Sequence, residues 1–322
     1  MLRLLLLFCA LPVLPAGAGS GGERPAPQQP VAPKATFRAD VSEVRVDVQV
    51  LDGKKIITGL GPADFQITDE GQPQTLLRFG EEAEPVALVI LIDVSGSMKK
   101  YARQLASTAQ SALQHLKPQD RVSVMVFSRG TELLSEFSSS LEEVAREIEV
   151  GVEQHRLPSG TAIYNSVLEA SRLLATDKDK NLASRRAVLI LTDNASLNYQ
   201  ITEAQVLREL WGVDAVLNAL VTDSAERPKL VRPGAYRNPD FVPTDIFKLA
   251  DQTGGEAYQV DRADRAFPQI MERLRSRYTV IYRPPPAPPG VLRSIKVELS
   301  PAARRRYPGA RIRTRAGYYT AE

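Results

Sequence analysis

Cysteine and histidine are almost missing from this chain. Cys9 is its one cysteine, and His115 and His155 are its two histidines. A thiolate or imidazole zinc site normally takes three or four such ligands, so the composition leaves almost no room for one. A disulfide framework and a cysteine nucleophile are excluded as well if the segment that carries Cys9 is removed, as argued below. An excess of charge of one sign is also lacking. Lys and Arg number 41 against 38 Asp and Glu, a net charge of +3 that is too balanced to argue for nucleic acid as a partner. No glycine-rich phosphate loop of the Walker type occurs. After the first residues, no stretch reaches the roughly 18 uncharged apolar residues that a membrane-spanning helix needs. What is present is ordinary globular composition, 43% hydrophobic and 25% charged, which rules out wholesale disorder, a collagen and a polytopic membrane protein. A length of 322 residues allows one large domain or two ordinary ones.

The start of the chain reads as an address. Arg3 is a short positive region, Leu4 to Leu14 is an apolar run too short to span a bilayer, and Ala16-Gly17-Ala18 is a small-x-small cleavage site. Residues 1–18 are therefore expected to be a signal peptide cleaved near Ala18, which makes the protein periplasmic or extracellular. Cys9 lies inside the apolar run behind Phe8, where a lipoprotein cysteine would need a small neighbour. Residues 19–35 carry Pro25, Pro27, Pro30 and Pro33 and read as a disordered linker.

Three blocks follow. Residues 36–83 are β in character: Val44, Val46, Val48 and Val50 alternate with polar residues, Asp52-Gly53 is a hairpin-type turn, and Ile56 to Leu60 and Phe65 to Thr68 are short strand candidates about a helical turn at Pro62-Ala63-Asp64. From Pro85 the pattern changes. Val86 to Ile92 is an unbroken apolar run, which suits a strand buried on both faces of a parallel sheet. Strand and helix signatures then alternate, with helices expected over Tyr101 to Leu116, Leu141 to Val152, Ala162 to Ala175, Glu203 to Trp211, Asp245 to Asp251 and Arg262 to Arg277. This predicts an α/β fold over residues 84–277, a doubly wound, mostly parallel sheet. Residues 278–322 return to β pattern, with strands at Tyr278 to Tyr282, Leu292 to Leu299 and Arg311 to Tyr319. The two β blocks are too small to fold well alone, so they are expected to pair into a small sandwich-like all-β unit in which the α/β domain is inserted or to which it is attached.

One constellation carries chemistry. Asp93-Val94-Ser95-Gly96-Ser97 follows the first buried strand directly, and in open α/β sheets ligands bind at the carboxyl ends of strands where the strand order reverses. Gly96 is expected to allow a sharp bend there. Ser159-Gly160-Thr161 precedes a helix and brings a further hydroxyl, and Leu191-Thr192-Asp193-Asn194 ends the second fully apolar strand. Two carboxylates and three hydroxyls offer only oxygen, which suits a hard cation such as Mg²⁺.

Asp-x-Ser-x-Ser after an apolar strand, a Thr in a Ser-Gly-Thr turn and then Leu-Thr-Asp resembles the metal-ion-dependent adhesion site of the von Willebrand factor type A (VWA) domain. The five pattern positions are Asp93, Ser95, Ser97, Thr161 and Asp193, and the resemblance spans about Glu84 to Arg277. Asn194 departs from the glycine that often follows the last Asp, but asparagine tolerates positive φ, so the turn can survive. The β arms and the Arg-Ala-Gly-Tyr-Tyr ending, Arg315 to Tyr319, are similar more loosely to a group of exported bacterial proteins of this type. The resemblance implies that Ser95, Ser97 and Thr161 hold Mg²⁺ (or Mn²⁺ or Ca²⁺) directly, that Asp93 and Asp193 act partly through water, and that a partner's Asp or Glu completes the shell. The expected function is an exported, non-enzymatic protein-binding module with no catalytic residues. The alternatives are a structural or assembly module with a merely stabilising metal, and a metal-dependent hydrolase, in which Ser95 or Ser97 would need a base such as His155, six residues before Thr161, although a solvated loop position suits that histidine better.

The end of the chain is locally basic. From Met271 onward 12 Lys and Arg face 3 Asp and Glu, and Arg304, Arg305, Arg306, Arg311, Arg313 and Arg315 suit either a peripheral contact with an anionic surface or the solvated face of edge strands.

Overall fold

The computed structural model describes residues 43–81, 84–101, 113–177, 184–196, 201–227, 244–259 and 263–321, together with Ser107 and Gln110. The expected signal peptide and linker lie outside the described residues, as does most of the helix expected over Tyr101 to Leu116. The described residues form one compact unit.

The chain enters through β1 (Val44–Asp52), β2 (Lys55–Ile56), a 3-10 turn (Pro62–Asp64), β3 (Phe65–Asp69), β4 (Gln72–Gln74) and β5 (Leu76–Gly80). Next come β6 (Val86–Asp93), a 3-10 segment (Gly96–Tyr101), β7 (Arg121–Phe127), β8 (Thr131–Ser138), α1 (Leu141–Gln154), α2 (Ile163–Thr176), β9 (Arg185–Thr192) and α3 (Glu203–Gly212). These are followed by β10 (Ala215–Val221), α4 (Ile246–Thr253), β11 (Ala257–Gln259) and α5 (Ala263–Arg275). The chain closes with β12 (Tyr278–Tyr282), β13 (Leu292–Leu299), α6 (Pro301–Arg306), β14 (Ala310–Arg313) and β15 (Gly317–Tyr319).

The central sheet has the order β11-β10-β9-β6-β7-β8, parallel throughout except that β8 runs antiparallel on β7. Strand alternation sends the residues of β6 to opposite faces. Leu88, Ile90 and Ile92 share a cluster with Val144 and Ile148 of α1 and with Phe267 and Ile270 of α5, while Ala87, Val89 and Leu91 pack with Val167 of α2, Leu210 of α3 and Leu249 of α4. Both faces are covered, so every residue of β6 is buried, and this accounts for the unbroken apolar run. Beyond β6 the order reverses, with β7 on one side and β9 on the other.

Two antiparallel sheets enclose a third cluster. One has the order β14-β1-β12-β5 with β2 on β1, and the other has the order β15-β13-β3-β4. Residues near the start of the described chain thus pair with residues near its end, as in Val46↔Val280 and Ile67↔Val297. The interior holds the inward valines of β1 with Phe65, Tyr278, Tyr282 and Leu299. The carboxylate of Asp69, buried among them, accepts hydrogen bonds from the hydroxyls of Tyr282 (2.9 Å) and Tyr318 (2.8 Å) and from Nε of Arg293 (2.7 Å). Among the described residues no helix is long and apolar enough to cross a membrane.

Several local expectations are corrected. Of the stretch expected as strand from Ile56 to Leu60, only Ile56 is strand, as the second residue of β2. The strand expected over Arg311 to Tyr319 is two strands in different sheets, because β14 pairs with β1 and β15 with β13. Arg304, Arg305 and Arg306 lie on α6, not on an edge strand. Ser300 caps that helix by accepting from the Ala303 amide, and Pro301 occupies its first turn. Strand β8 was not expected, since Leu133 and Leu134 break the alternation and the pairing with β7 slips in register.

Close approach explains one glycine. A Cβ on Gly255 would lie 1.9 Å from the Leu217 carbonyl oxygen, a backbone atom of β10 that cannot yield cheaply. Gly255→Ala is expected to destabilise the chain by about 3 kcal/mol or more. Urea unfolding followed by circular dichroism checks this, and an unchanged midpoint would contradict the packing.

Candidate functional site

β6 delivers Asp93 to the carboxyl edge of the sheet, at the reversal of strand order. The side chain is fully buried, at 0% exposure. Its Oδ1 accepts from the Ser95 amide at 2.9 Å and its Oδ2 from the Thr192 hydroxyl at 2.7 Å. The Val94 amide donates to the Phe127 carbonyl at 2.8 Å, which pins the turn to β7. Ser95 Oγ and Ser97 Oγ lie 3.2 Å apart, with Ser95 buried and Ser97 open to solvent.

Gly96 does not play the part expected of it. It has no positive φ, and a Cβ there would meet nothing within 4 Å. The bend is made instead by the Asp93 carboxylate and by the Met98 amide, which donates to the Ser95 carbonyl at 3.0 Å. Gly96→Ala is accordingly expected to change stability by less than about 0.5 kcal/mol. A thermal melt checks it, and a clear loss of stability would mean that the turn needs glycine after all.

Thr161 follows Gly160, whose φ of 133° lies in the region that favours glycine. The next amide, Ala162 N–H, donates to the Ser128 carbonyl at 2.7 Å, and the Ser128 hydroxyl donates to the Pro158 carbonyl at 2.7 Å. The Thr161 carbonyl accepts from the Ser196 hydroxyl at 3.1 Å. Thr161 is thereby clamped between the loops that leave β7 and β9. Asp193 is half-buried, and its Oδ1 accepts from the Ala195 amide at 2.9 Å. Asn194 adopts φ of 59°, so the turn is made with asparagine where glycine is common. Its side chain holds two further segments: Oδ1 accepts from the Ile246 amide at 3.2 Å, and Nδ2 donates to the Glu226 carbonyl at 3.0 Å.

Asp93, Ser95 and Ser97 form one hydrogen-bonded turn, and Asp193 is tied to it through Thr192. Among the described residues no hydrogen bond joins the Thr161 hydroxyl to the other four side chains. Thr192, Ser128 and Ser196 organise the site and were not singled out from sequence. The available signal was a hydroxyl residue directly after the last apolar residue of a strand, as at Thr192 and Ser128. Half-buried His155, on the loop before Ser159, makes no hydrogen bond to any of these groups.

Burial pushes the Asp93 carboxyl up to about 6. The hydrogen bonds from Ser95 and Thr192 pull against that rise, and the nearby Asp193 charge adds to it. No basic side chain is paired with Asp93 among the described residues. A buried carboxylate without a counterion is costly unless a cation reaches it. The donors about it are hydroxyl and carboxylate oxygens, as a hard cation requires, so the residues fit such an ion. Among the described residues no three of His, Cys, Asp and Glu gather in a way that could hold a metal, and this site itself offers two carboxylates, with hydroxyls as its other oxygens.

The family model described as "VWA domain containing CoxE-like protein" matches residues 25–226. The chain belongs to this VWA family. Solved structures similar to it include an aerotolerance-related membrane protein from Bacteroides fragilis, at 16% identity and a TM-score of 0.45, covering 59% of this chain and 98% of that one. BatB from Bacteroides thetaiotaomicron has the same identity and coverages with a TM-score of 0.43. A von Willebrand factor type A protein from Catenulispora acidiphila reaches 12% identity and a TM-score of 0.43 over 88% of this chain and 75% of its own. A search of curated proteins finds no significant match. VWA domains commonly mediate protein–protein interaction, and they are typically interaction modules and not enzymes.

The basic end of this VWA chain is largely engaged. Arg313 Nε lies 2.9 Å from Glu256 and Arg315 Nη1 2.8 Å from Asp214, Arg304 donates to the Ala310 carbonyl at 2.6 Å, and Arg306 pairs with Asp64. Arg305 and Arg311 are exposed.

Proposed function

We propose that this VWA chain is an exported binding protein that engages a protein partner through a Mg²⁺ ion held by Asp93, Ser95, Ser97, Thr161 and Asp193. The observation that carries the reading is a fully buried Asp93 with no cationic partner, hydrogen-bonded into a turn of hydroxyl groups at the sheet edge where strand order reverses. The bound cation would supply a coordination position for a partner's Asp or Glu. Asp93 would hold charge beneath it, oriented by Ser95 and Thr192, while Ser95, Ser97 and Thr161 would present neutral oxygens that leave the ion net positive. Ser97 and Asp193, the two more exposed members, would border the face open to the partner. Among the described residues no histidine or lysine is hydrogen-bonded to either serine, and the Asp93 carboxylate beside Ser95 is already engaged by the Ser95 amide and the Thr192 hydroxyl, which favours binding over hydrolysis.

Two experiments test this. Calorimetric titration of the purified chain with Mg²⁺ and Mn²⁺ is expected to show one site. Capture of partners from the exporting cell's envelope, with and without chelator, is expected to give a set lost in chelator and restored by Mg²⁺. Partner capture indifferent to chelator would refute the metal-mediated reading.

A further inference from the structure

The strands β13 and β15 set a register in which Ser294 faces Gly317, and the Ile295 amide extends it by donating to the Ala316 carbonyl at 2.9 Å. Continued, that register would bring Val297 opposite Thr314. The chain does not continue it. Residues 310–313 leave for the other sheet, where Arg313 pairs with Gln49 and Ile312 with Val50. The departure opens a cleft of about 310 Å³ between β13 and β14. Its walls are two strand edges: β13 is bonded at this level to β3 alone, and β14 to β1 alone. Backbone groups alternate along a strand, so the amide and carbonyl of Val297 point to the same side as those of Ile295, into the cleft. Thr314 Oγ1, on the opposite wall, is buried and makes no hydrogen bond among the described residues.

The charge around the cleft is positive. Arg311 is exposed and has no ion-pair partner among the described residues, and Lys296 is held only by Glu298, with both side chains more than half exposed (68% and 51%), a pairing worth little. Asp251, the one acid on the lining, is already shared by Arg313 and Arg227. We propose that the cleft between β13 and β14 is a strand-addition site for an extended, acidic segment of a partner protein, which pairs with the open edge of β13 at Val297 and sets its acidic side chains against Lys296 and Arg311. The open groups decide between partner classes. Val297 presents a donor and an acceptor at strand spacing, which a peptide backbone matches residue by residue and a lipid phosphodiester, an acceptor alone, does not. The cleft is lined by Arg315, which is anchored to Asp214 just before β10, so it lies at the amino-terminal end of the parallel strands, away from Asp93. The inference therefore stands independently of the metal reading.

The test uses the whole chain and a fluorescein-labelled eight-residue peptide alternating valine with glutamate, read by anisotropy. Binding is expected, with slowed amide exchange at Val297. The double variant Lys296→Glu/Arg311→Glu, two exposed positions, is expected to weaken it at least about tenfold at unchanged melting temperature. Asp93→Ala is expected to leave it intact. Absence of binding, equal binding of the lysine version of the peptide, or exchange protection elsewhere would overturn the proposal. So would charge-dependent binding to phosphatidylglycerol vesicles without peptide protection, which assigns the surface to lipid, or self-association lost in the double variant, which assigns it to a second copy.

Discussion

Asp47→Asn is expected to destabilise the chain by about 3–5 kcal/mol at neutral pH, because it strands buried cations. Asp47 projects from β1 toward the parallel sheet. Its Oδ2 lies 3.0 Å from Arg185 Nη1, and its Oδ1 lies 3.2 Å from Arg45 Nε and accepts from the Thr279 hydroxyl at 3.3 Å. Arg185 begins β9 and is itself buried, and its Nη2 donates to the Arg277 carbonyl at 2.5 Å. Arg277 is buried too and donates to the Gly254 carbonyl at 2.6 Å, with burial pushing its guanidinium down to about 10. One carboxylate therefore serves several guanidinium groups where the β sheets meet the α/β layer. The Asn variant keeps the shape and removes the charge, so the loss measures the electrostatics. The double variant Asp47→Asn/Arg185→Met is expected to recover part of the stability by removing both charges together.

The same carboxylate dictates a pH dependence. Burial alone would raise the Asp47 carboxyl, but Arg185, Arg45 and Arg277 more than offset it and hold it below the usual range. A group depressed in the folded state contributes stability in full above its unfolded value, near about 3.9, and loses it as pH falls through the folded value. The stability gap between wild type and Asp47→Asn should thus be constant from pH 7 to about 5 and shrink below about 4. Urea midpoints across that range check it. A gap that stayed constant into strong acid would contradict the pairing.

Asp93→Ala is expected to abolish Mg²⁺ binding and yet leave a folded protein. In wild type, Mg²⁺ at a hundred times its dissociation constant should add about 2.7 kcal/mol, or about 5 °C in melting temperature for a chain of this size. The variant should show no such shift. Without metal it should melt close to wild type, because the mutation removes a buried carboxylate that lacks a counterion and leaves only the Ser95 amide and the Thr192 hydroxyl to find new partners. A Mg²⁺-dependent shift of wild-type size in the variant would remove Asp93 from the site.

Much of the α/β portion was legible because its physics is local. β6 and β9 are buried on both faces and so read as unbroken apolar runs, and α1, α2 and α3 bury one face and so read at helical spacing. The motif residues were legible for a related reason: a strand end, a short turn and a hydroxyl or carboxylate are neighbours in sequence, as in Asp93-Val94-Ser95. The supporting residues were less so. Thr192 binds Asp93 across 99 positions of chain, and Ser128 holds Thr161 from another loop. Neither separation leaves a pattern to read. Strand β8 was missed because it lies at an irregular edge where packing does not impose alternation. The stretch 311–319 was read as one strand because nothing in its composition marks Thr314 to Ala316 as the point where the chain changes sheets.

From its sequence alone, then, this protein is committed to a mostly parallel sheet layered between helices, and to carboxylates and hydroxyls set at strand ends and in short turns, since these follow from periodicity and short-range geometry; the order of the strands about β6 came from the tertiary structure. The tertiary structure decided which strands of the two ends pair, that Asp47, Arg185 and Arg277 share one buried junction, and that β14 parts from β13 to leave a cleft. Those outcomes depend on contacts between residues far apart in the chain, where the loss of solvent at a shared interface, and not the preference of any single segment, sets the free energy.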